Sequence, residues 1–127
     1  MSAGHTFATA VNCMDGRTQD PVSVYLKKKY AVDYVDTITE PGPNGILARG
    51  EDASAIASIK HRIGISTGKH GSKHIAVVGH HDCAGNPVPK EKQFEQVKAA
   101  VKTIESWGFA AEVIGLWVDE NWEVMEI

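Results

Sequence analysis

The chain has 127 residues, of which 43% are hydrophobic and 23% are charged, and it carries a formal net charge of −3. This size and composition predict one soluble globular domain over residues 1–127, and the acidic balance gives no electrostatic basis for binding nucleic acid or an anionic membrane. No segment approaches the ~20 apolar residues that span a bilayer, and residues 1–5 lack the pattern of a secretion signal. A cytoplasmic location is therefore expected.

A strand and a helix are predicted at the start of the chain. Residues 6–12 are small and apolar, which is typical of a buried strand, and this strand ends at Cys13. Asp20 and Pro21 suit the N-cap and the first position of a helix, because aspartate can accept hydrogen bonds from the first turn and proline needs no partner there. The helix is expected to end near Tyr30.

A second strand and a loop are predicted next. Residues 34–39 alternate in polarity and are rich in β-branched side chains, which favours a strand. The prolines and glycines that follow break this strand sharply. Residues 40–50 are therefore expected to form a loop that lines a pocket or an interface, with Asn44 and Arg49 as its candidate contacts.

The middle of the chain predicts a helix and a fully buried strand. Residues 51–63 are rich in alanine and isoleucine and indicate a mostly buried helix. Residues 66–73 are polar and contain glycine, so they are expected to form a connection. Residues 74–79 are continuously apolar at their centre, which is typical of a strand covered on both faces in a parallel sheet.

The last third of the chain predicts a long helix and a hairpin. The helix, residues 91–107, is marked by one apolar stripe at spacings of three, four and three residues: Phe94, Val97, Val101 and Ile104. Gly108 suits the end of this helix, since glycine accepts the left-handed backbone that commonly follows a helix. Residues 111–118 and 122–127 are expected to pair as a hairpin.

Strands alternate with helices through most of the chain. That order predicts an α/β fold, with a mainly parallel central sheet flanked by helices and an antiparallel C-terminal strand. The tryptophans are expected to be core or interface aromatics: Trp107, Trp117 and Trp122.

Two short segments contain both cysteines of the chain, and each follows a predicted strand: Cys13-Met14-Asp15-Gly16-Arg17 and His80-His81-Asp82-Cys83. Ligands of open parallel sheets bind at the carboxyl ends of the strands, so the two segments can meet if their strands are neighbours. Two thiolates and one imidazole are donors that zinc prefers, and three ligands leave a fourth position for chemistry. Cys13, His80 and Cys83 are therefore predicted zinc ligands. A disulfide or two unrelated thiols are the alternatives.

These two motifs resemble the signature motifs of the beta-class carbonic anhydrases in their residues, order and separation. The segment Gly115-Leu116-Trp117-Val118, with its following hairpin, is similar to that family's last strands. The resemblance implies zinc held by Cys13, His80 and Cys83, and reversible hydration of carbon dioxide to bicarbonate by zinc-bound hydroxide. It also implies a homodimer or a higher homo-oligomer, because the pockets of that family form between two subunits.

The resemblance implies that Asp15 and Arg17 are an acid–base and orienting pair. Asp15 follows a ligand by two residues, so its carboxylate can accept a hydrogen bond from zinc-bound water. Arg17 can hold that carboxylate in a bidentate pair and keep it off the metal, and its release would let Asp15 become the fourth ligand. A plain surface salt bridge is the alternative. His81 and Asp82 are expected beside the site or exposed to solvent.

Three features of the family's substrate pocket differ in this sequence. The family's glutamine upstream of the first cysteine has no counterpart, because the glutamines all lie downstream: Gln19, Gln93 and Gln96. Ala84 stands where glycine usually follows the second cysteine, and Glu40-Pro41-Gly42-Pro43-Asn44-Gly45 replaces an Arg-Asn-Ala-Gly-like stretch. Hydrolysis of carbonyl sulfide or carbon disulfide at the same site therefore stays open. So does a non-catalytic zinc-binding module whose site Asp15 closes.

Overall fold

The computed structural model describes residues 5–127 as a five-stranded sheet with helices on both faces. The strands are β1 (Phe7–Cys13), β2 (Tyr34–Glu40), β3 (His74–His80), β4 (Glu112–Val118) and β5 (Val124–Glu126). The helices are α1 (Gln19–Tyr30), α2 (Pro43–Arg49), α3 (Ala53–Gly68) and α4 (Lys90–Ser106). Residues 1–4, which form most of the segment where no secretion signal was predicted, lie outside the described residues.

The sheet is mainly parallel and has the order β2-β1-β3-β4-β5. β1 pairs in parallel with β2 and β3, and β3 pairs in parallel with β4. β5 returns by a hairpin and pairs antiparallel with β4. This confirms the predicted α/β fold, and it makes β1 and β3 neighbours whose carboxyl ends meet at one edge.

Each face of the sheet carries its own hydrophobic core. α1 covers one face and buries Val22 and Leu26 against the strands. α3 and α4 cover the other face, where Ile59, Ile63 and Val97 are fully buried. Burying one such side chain stabilises a fold by ~1.5–3 kcal/mol. The two layers together hold the strand ends, and the loops that follow them, in fixed relative positions.

α1 begins earlier than predicted, with Thr18 rather than Asp20 at its N-cap. A 3-10 turn precedes it, and Asp15 caps that turn by accepting a hydrogen bond from the backbone N–H of Arg17 at 2.9 Å. Pro21 consequently lies within the first turn of α1, where a backbone donor has no helical partner. The prediction of Asp20 as the cap was wrong because Asp15 already starts the helical turns.

The prediction of a loop over residues 40–50 was also wrong, because α2 occupies Pro43–Arg49. Gly42 precedes the helix with φ of 67°, and Gly50 ends it with φ of 68°. Both are left-handed values that favour glycine. Proline is favoured both at the first helical position and in turns, so the same residues fit either structure.

α3 continues to Gly68, past its predicted end at residue 63. The polar residues that indicated a connection stay helical because their side chains have partners. The hydroxyl of Ser66 donates to Asp36 at 2.7 Å, and that of Thr67 donates to the carbonyl of Ile63 at 2.9 Å. Local polarity predicted a loop here, but contacts with β2 stabilise the helix through these residues.

The C-terminal elements agree with the sequence except at one boundary. α4 ends at Ser106, and Gly108 follows with φ of 76°, close to its predicted role. β5 begins at Val124, later than predicted, because Trp122 lies in the turn with φ of 60°. Within residues 5–127, none of the helices is long and apolar enough to cross a membrane.

Candidate metal centre

Three buried side chains converge where β1 and β3 end. Cys13 is the last residue of β1, His80 is the last residue of β3, and Cys83 lies in the following loop. Their exposed fractions are 4%, 1% and 5% respectively. The side-chain amide of Gln19 donates to the carbonyl of Cys13 at 2.7 Å and so holds the end of β1 in place.

The geometry of these three side chains fits one tetrahedral metal ion. The two sulfurs lie 3.8 Å apart, and the three potential ligand atoms lie within 4.8 Å of one another. Two sulfurs that share a tetrahedral zinc at ~2.3 Å are expected ~3.8 Å apart. Nδ1 of His80 bonds to the carbonyl of His81 at 2.7 Å, while Nε2 is buried and has no hydrogen-bond partner in the described chain. The cysteines are free thiols rather than a disulfide.

The protonation of the two thiols is coupled. The pKa of Cys13 is lowered to about 4, first because the thiol of Cys83 donates to it; burial opposes this change. The nearby imidazole of His80 and the backbone N–H groups of Asp15 and Gly42 lower the pKa further. The pKa of Cys83 is raised for the complementary reason, because its proton is held by the Cys13 thiolate, and burial adds to the rise. A metal ion would replace the shared proton, so binding should release it.

Asp15 and Arg17 form a bidentate pair beside this cluster. Nη2 of Arg17 donates to Oδ2 of Asp15 at 2.7 Å, and Nε donates to Oδ1 at 3.1 Å. The side-chain hydrogen bond from Arg17, with smaller electrostatic contributions, lowers the pKa of Asp15 to about 2 although partial burial opposes it. The same pair raises the pKa of Arg17. Asp15 is consequently a carboxylate turned toward Arg17 at neutral pH.

Asp82 and Trp122 contact the same guanidinium. Asp82 accepts from Arg17 through its carbonyl at 3.1 Å and through Oδ2 at 3.3 Å. The ring of Trp122 lies 4.5 Å from the guanidinium carbon, a cation–π distance. Trp117 is buried in the core as predicted, with 3% exposed, whereas Trp122 covers Arg17. This contact has no signal in the local sequence pattern, because it depends on where the β4–β5 turn lies above the sheet edge.

Four side-chain amides form a buried cluster near the loop that follows Cys83, and none is more than 5% exposed: Asn44, Asn86, Gln93 and Gln96. Asn44 donates to Gln93 at 2.8 Å, and Asn86 donates to Gln96 at 2.7 Å. Gln93 in turn donates to the carbonyl of Asn86 at 2.9 Å. The cluster therefore ties the loop after Cys83 to α2 and α4. Asn44 was predicted to line a pocket or an interface, and it lies inside this cluster instead.

Substituting Gly42 with alanine should destabilise the fold. A Cβ at Gly42 would lie 2.5 Å from Cβ of Asn86, and the backbone φ of +67° is itself unfavourable for alanine. The expected cost is about 2 kcal/mol or more, a loss of roughly 5–10 °C in thermal midpoint. Gly68→Ala is the matched control, because nothing lies within 4 Å of its Cβ position. Equal midpoints for the two variants would contradict the close approach of the two loops.

The Asp15–Arg17 pair should contribute a pH-dependent part of the stability. The pKa of Asp15 falls from 3.8 to about 2 on folding, so its stabilisation is present above pH 3.8 and is lost as the pH falls through about 2. Because the Arg17 side chain is 46% exposed, the effect is below about 1 kcal/mol. Thermal unfolding of wild type and Asp15→Asn should differ by a constant amount at neutral pH and converge toward pH 2. A difference that grows on acidification would contradict the lowered pKa.

These features define an α/β protein that has a cluster able to hold a metal ion at the carboxyl edge of its parallel sheet. The family model described as "Putative carbonic anhydrase" matches residues 3–127. The chain belongs to this carbonic anhydrase family, as its motifs predicted. No curated protein sequence matches it.

Solved structures of beta-carbonic anhydrases share the fold. The chain is similar to carbonic anhydrase from Streptococcus mutans, with a TM-score of 0.64 and 18% identity over 94% of this chain and 80% of that one. For isoform I of beta-carbonic anhydrase from Trichomonas vaginalis, the TM-score is 0.60 and the sequence identity is 13%, over 100% of this chain and 85% of that one. For a tetrameric beta-carbonic anhydrase from Sordaria macrospora, the TM-score is 0.60 and the identity is 14%, over 99% of this chain and 82% of that one. At these identities the likeness shows the fold.

Proposed function

We propose that this chain is a zinc-dependent carbonic anhydrase that hydrates carbon dioxide reversibly to bicarbonate. The observation that carries the proposal is the convergence of two thiols and a buried imidazole nitrogen beside a carboxylate that Arg17 holds ionised. Membership of a carbonic anhydrase family supports it. Zinc is the inferred metal because two sulfurs and one nitrogen suit this ion. Three protein ligands would leave the fourth coordination position of zinc for a water molecule, as in catalytic zinc sites.

Cys13, His80 and Cys83 are the proposed ligands. Zinc bound there would supply a water molecule with a pKa lowered toward neutrality. Two thiolates cancel the formal charge of the ion, so the lowering is weaker than three histidines would allow. The carbonyl of His81 fixes the orientation of the His80 ring through Nδ1, which leaves Nε2 as the ligand atom.

Asp15 is proposed to orient the proton of the reacting water. Oδ2 of Asp15 accepts from Nη2 of Arg17 at 2.7 Å and from Nε at 3.3 Å. The second of these hydrogen bonds is long, so Oδ2 is the oxygen proposed to accept a hydrogen bond from the water. With a pKa of about 2, this carboxylate accepts a hydrogen bond but does not retain a proton at neutral pH. The proton must then pass to solvent or buffer. Arg17 is the orienting partner that holds the carboxylate.

We infer further that residues 1–127 form a single zinc-binding domain and that the protein is a homodimer or a higher homo-oligomer. The edge strand β2 supports an oligomer, because it pairs only with β1 in the described chain and leaves its outer backbone groups for another strand. A cytoplasmic location is proposed because reducing conditions keep Cys13 and Cys83 available as thiolates. Carbon dioxide and bicarbonate are the proposed small-molecule partners; nucleic acid and membrane are not.

A stopped-flow assay of zinc-loaded protein tests the proposed reaction, with carbonyl sulfide and carbon disulfide assayed in parallel. Carbon dioxide hydration well above the buffer rate, with slower turnover of both sulfur compounds, is the expected result. Faster turnover of a sulfur compound would indicate that the protein is a hydrolase of that compound, acting at the same site, rather than a carbonic anhydrase. No turnover of any of the three between about pH 6 and pH 9 would favour the non-catalytic zinc module.

A further inference from the structure

Two residues with unusual backbone conformation meet at one guanidinium. Among the described non-glycine residues, positive φ occurs at Ala31, Asp82 and Trp122, with values of 53°, 57° and 60°. Ala31 ends α1, a place where the left-handed conformation is common. The other two residues lie on different loops, and both contact Arg17. Left-handed backbone is rare for a residue as large as tryptophan and persists only where surrounding structure imposes it.

The turn that carries Trp122 is built around Asp119. The carboxylate oxygen Oδ1 of Asp119 accepts from the backbone N–H groups of Asn121 and Glu123, at 2.9 and 3.0 Å. The backbone N–H of Trp122 donates to the carbonyl of Asp119 at 3.0 Å. These bonds hold Trp122 in its left-handed conformation and direct its ring over Arg17.

Asp82 restrains the same guanidinium from the loop that joins two proposed ligands. Its carbonyl and carboxylate accept from Nη2 and Nη1 of Arg17. The third nitrogen, Nε, donates to Asp15. Every guanidinium nitrogen of Arg17 therefore has an acceptor, and the ring of Trp122 covers the guanidinium.

This restraint has a consequence for Asp15. Half-exposed ion pairs are weak and mobile, and the Arg17 side chain is 46% exposed. Asp15 is also two residues from Cys13, so a carboxylate that leaves Arg17 lies within reach of the proposed zinc position. Contacts from outside the pair are needed to keep Arg17, and hence Asp15, in place.

We propose that Trp122 and Asp82 are positioning residues that hold Arg17 on Asp15 and thereby keep the fourth metal position open. The inference rests on the zinc site proposed above. It concerns how this chain keeps the site open, and it does not depend on which substrate is turned over. Without the ring of Trp122, Arg17 should be released more often and Asp15 should compete for the metal.

The test uses cobalt(II)-substituted protein titrated with azide, a small anion that takes an open metal position and changes the cobalt absorption. Trp122→Gly and Trp122→Asn both remove the ring, and both residues accept left-handed backbone. We expect each variant to bind azide at least about fivefold more weakly, because only the fraction of molecules with a free position binds it. Adding Asp15→Asn to either variant should restore azide affinity to within about twofold of Asp15→Asn alone.

Trp107→Leu is the matched control, since Trp107 packs near Phe109 away from the site, and its azide affinity should equal that of wild type. Azide affinity that is unchanged or tighter in both Trp122 variants would overturn the inference. So would weaker binding that Asp15→Asn fails to restore, since a general loss of structure would explain it. Because the readout is anion binding, a wild type without carbon dioxide turnover would contradict the proposed function and leave this inference standing.

Discussion

Replacing Cys83 with serine should remove most of the metal from the protein. A serine hydroxyl stays protonated at neutral pH and is a poor zinc ligand, so a site of three donors would be reduced to two. We expect zinc affinity to fall by more than the ~10–100-fold that follows loss of a residue supporting a ligand. Metal analysis of protein purified without added metal should give close to one zinc per wild-type chain and little in the variant. Cys13→Ser should behave in the same way.

His81→Ala is the matched control for this loss. His81 lies in the same loop, but it contacts His80 through its backbone carbonyl, which the substitution retains. The control variant should therefore keep its zinc. Full zinc retention in both Cys13→Ser and Cys83→Ser would refute the assignment of the ligands.

Replacing Asp15 with asparagine should abolish most turnover while zinc is retained. The amide is a poorer hydrogen-bond acceptor than the carboxylate, so the reacting water would lose its orienting partner, and the expected loss is ~10–100-fold in kcat. Zinc content should stay at the wild-type value, because Asp15 is held by Arg17 and lies outside the Cys-His-Cys cluster. An Asp15→Asn variant as active as wild type would leave the metal site standing but remove the carboxylate from the mechanism.

Arg17→Ala should also lose activity, for a different reason. Without Arg17 the pKa of Asp15 should return toward 3.8, so Asp15 remains a carboxylate at neutral pH. Its charge is unchanged, but Arg17 no longer holds it in position. Asp15 is then expected to bind the metal. X-ray absorption should detect an additional carboxylate ligand in Arg17→Ala and an open or water-bound position in Asp15→Asn. The same coordination in both variants would contradict the role given to Arg17.

The sequence predicted the parts of the site that follow strand ends. Cys13 and His80 each terminate an apolar run, and parallel pairing of the two strands is enough to bring them together. The order of strands and helices predicted a mainly parallel sheet, and a shared site required β1 and β3 to be neighbours in it. The spacing of His80 and Cys83 let one loop direct both side chains toward a single point.

The sequence could not predict the parts of the site that depend on contacts between distant loops. Pro43 fits a turn and the first position of a helix equally well, so α2 was missed. Gln93 is polar at a position that faces the sheet, and only its bonds to Asn44 and Asn86 explain its burial. Trp122 meets Arg17 because the β4–β5 turn folds over the sheet edge. Local sequence patterns do not predict contacts between residues that are distant in the chain.

A zinc titration of carbon dioxide hydration tests most directly the proposal that one zinc ion at this cluster performs the reaction. Metal-free protein should be inactive, and the initial rate measured by stopped flow should rise linearly with added zinc and level off at one equivalent per chain. Cys83→Ser should remain near the buffer rate across the same titration. A wild-type rate that is independent of zinc, or one that rises equally in Cys83→Ser, would contradict it.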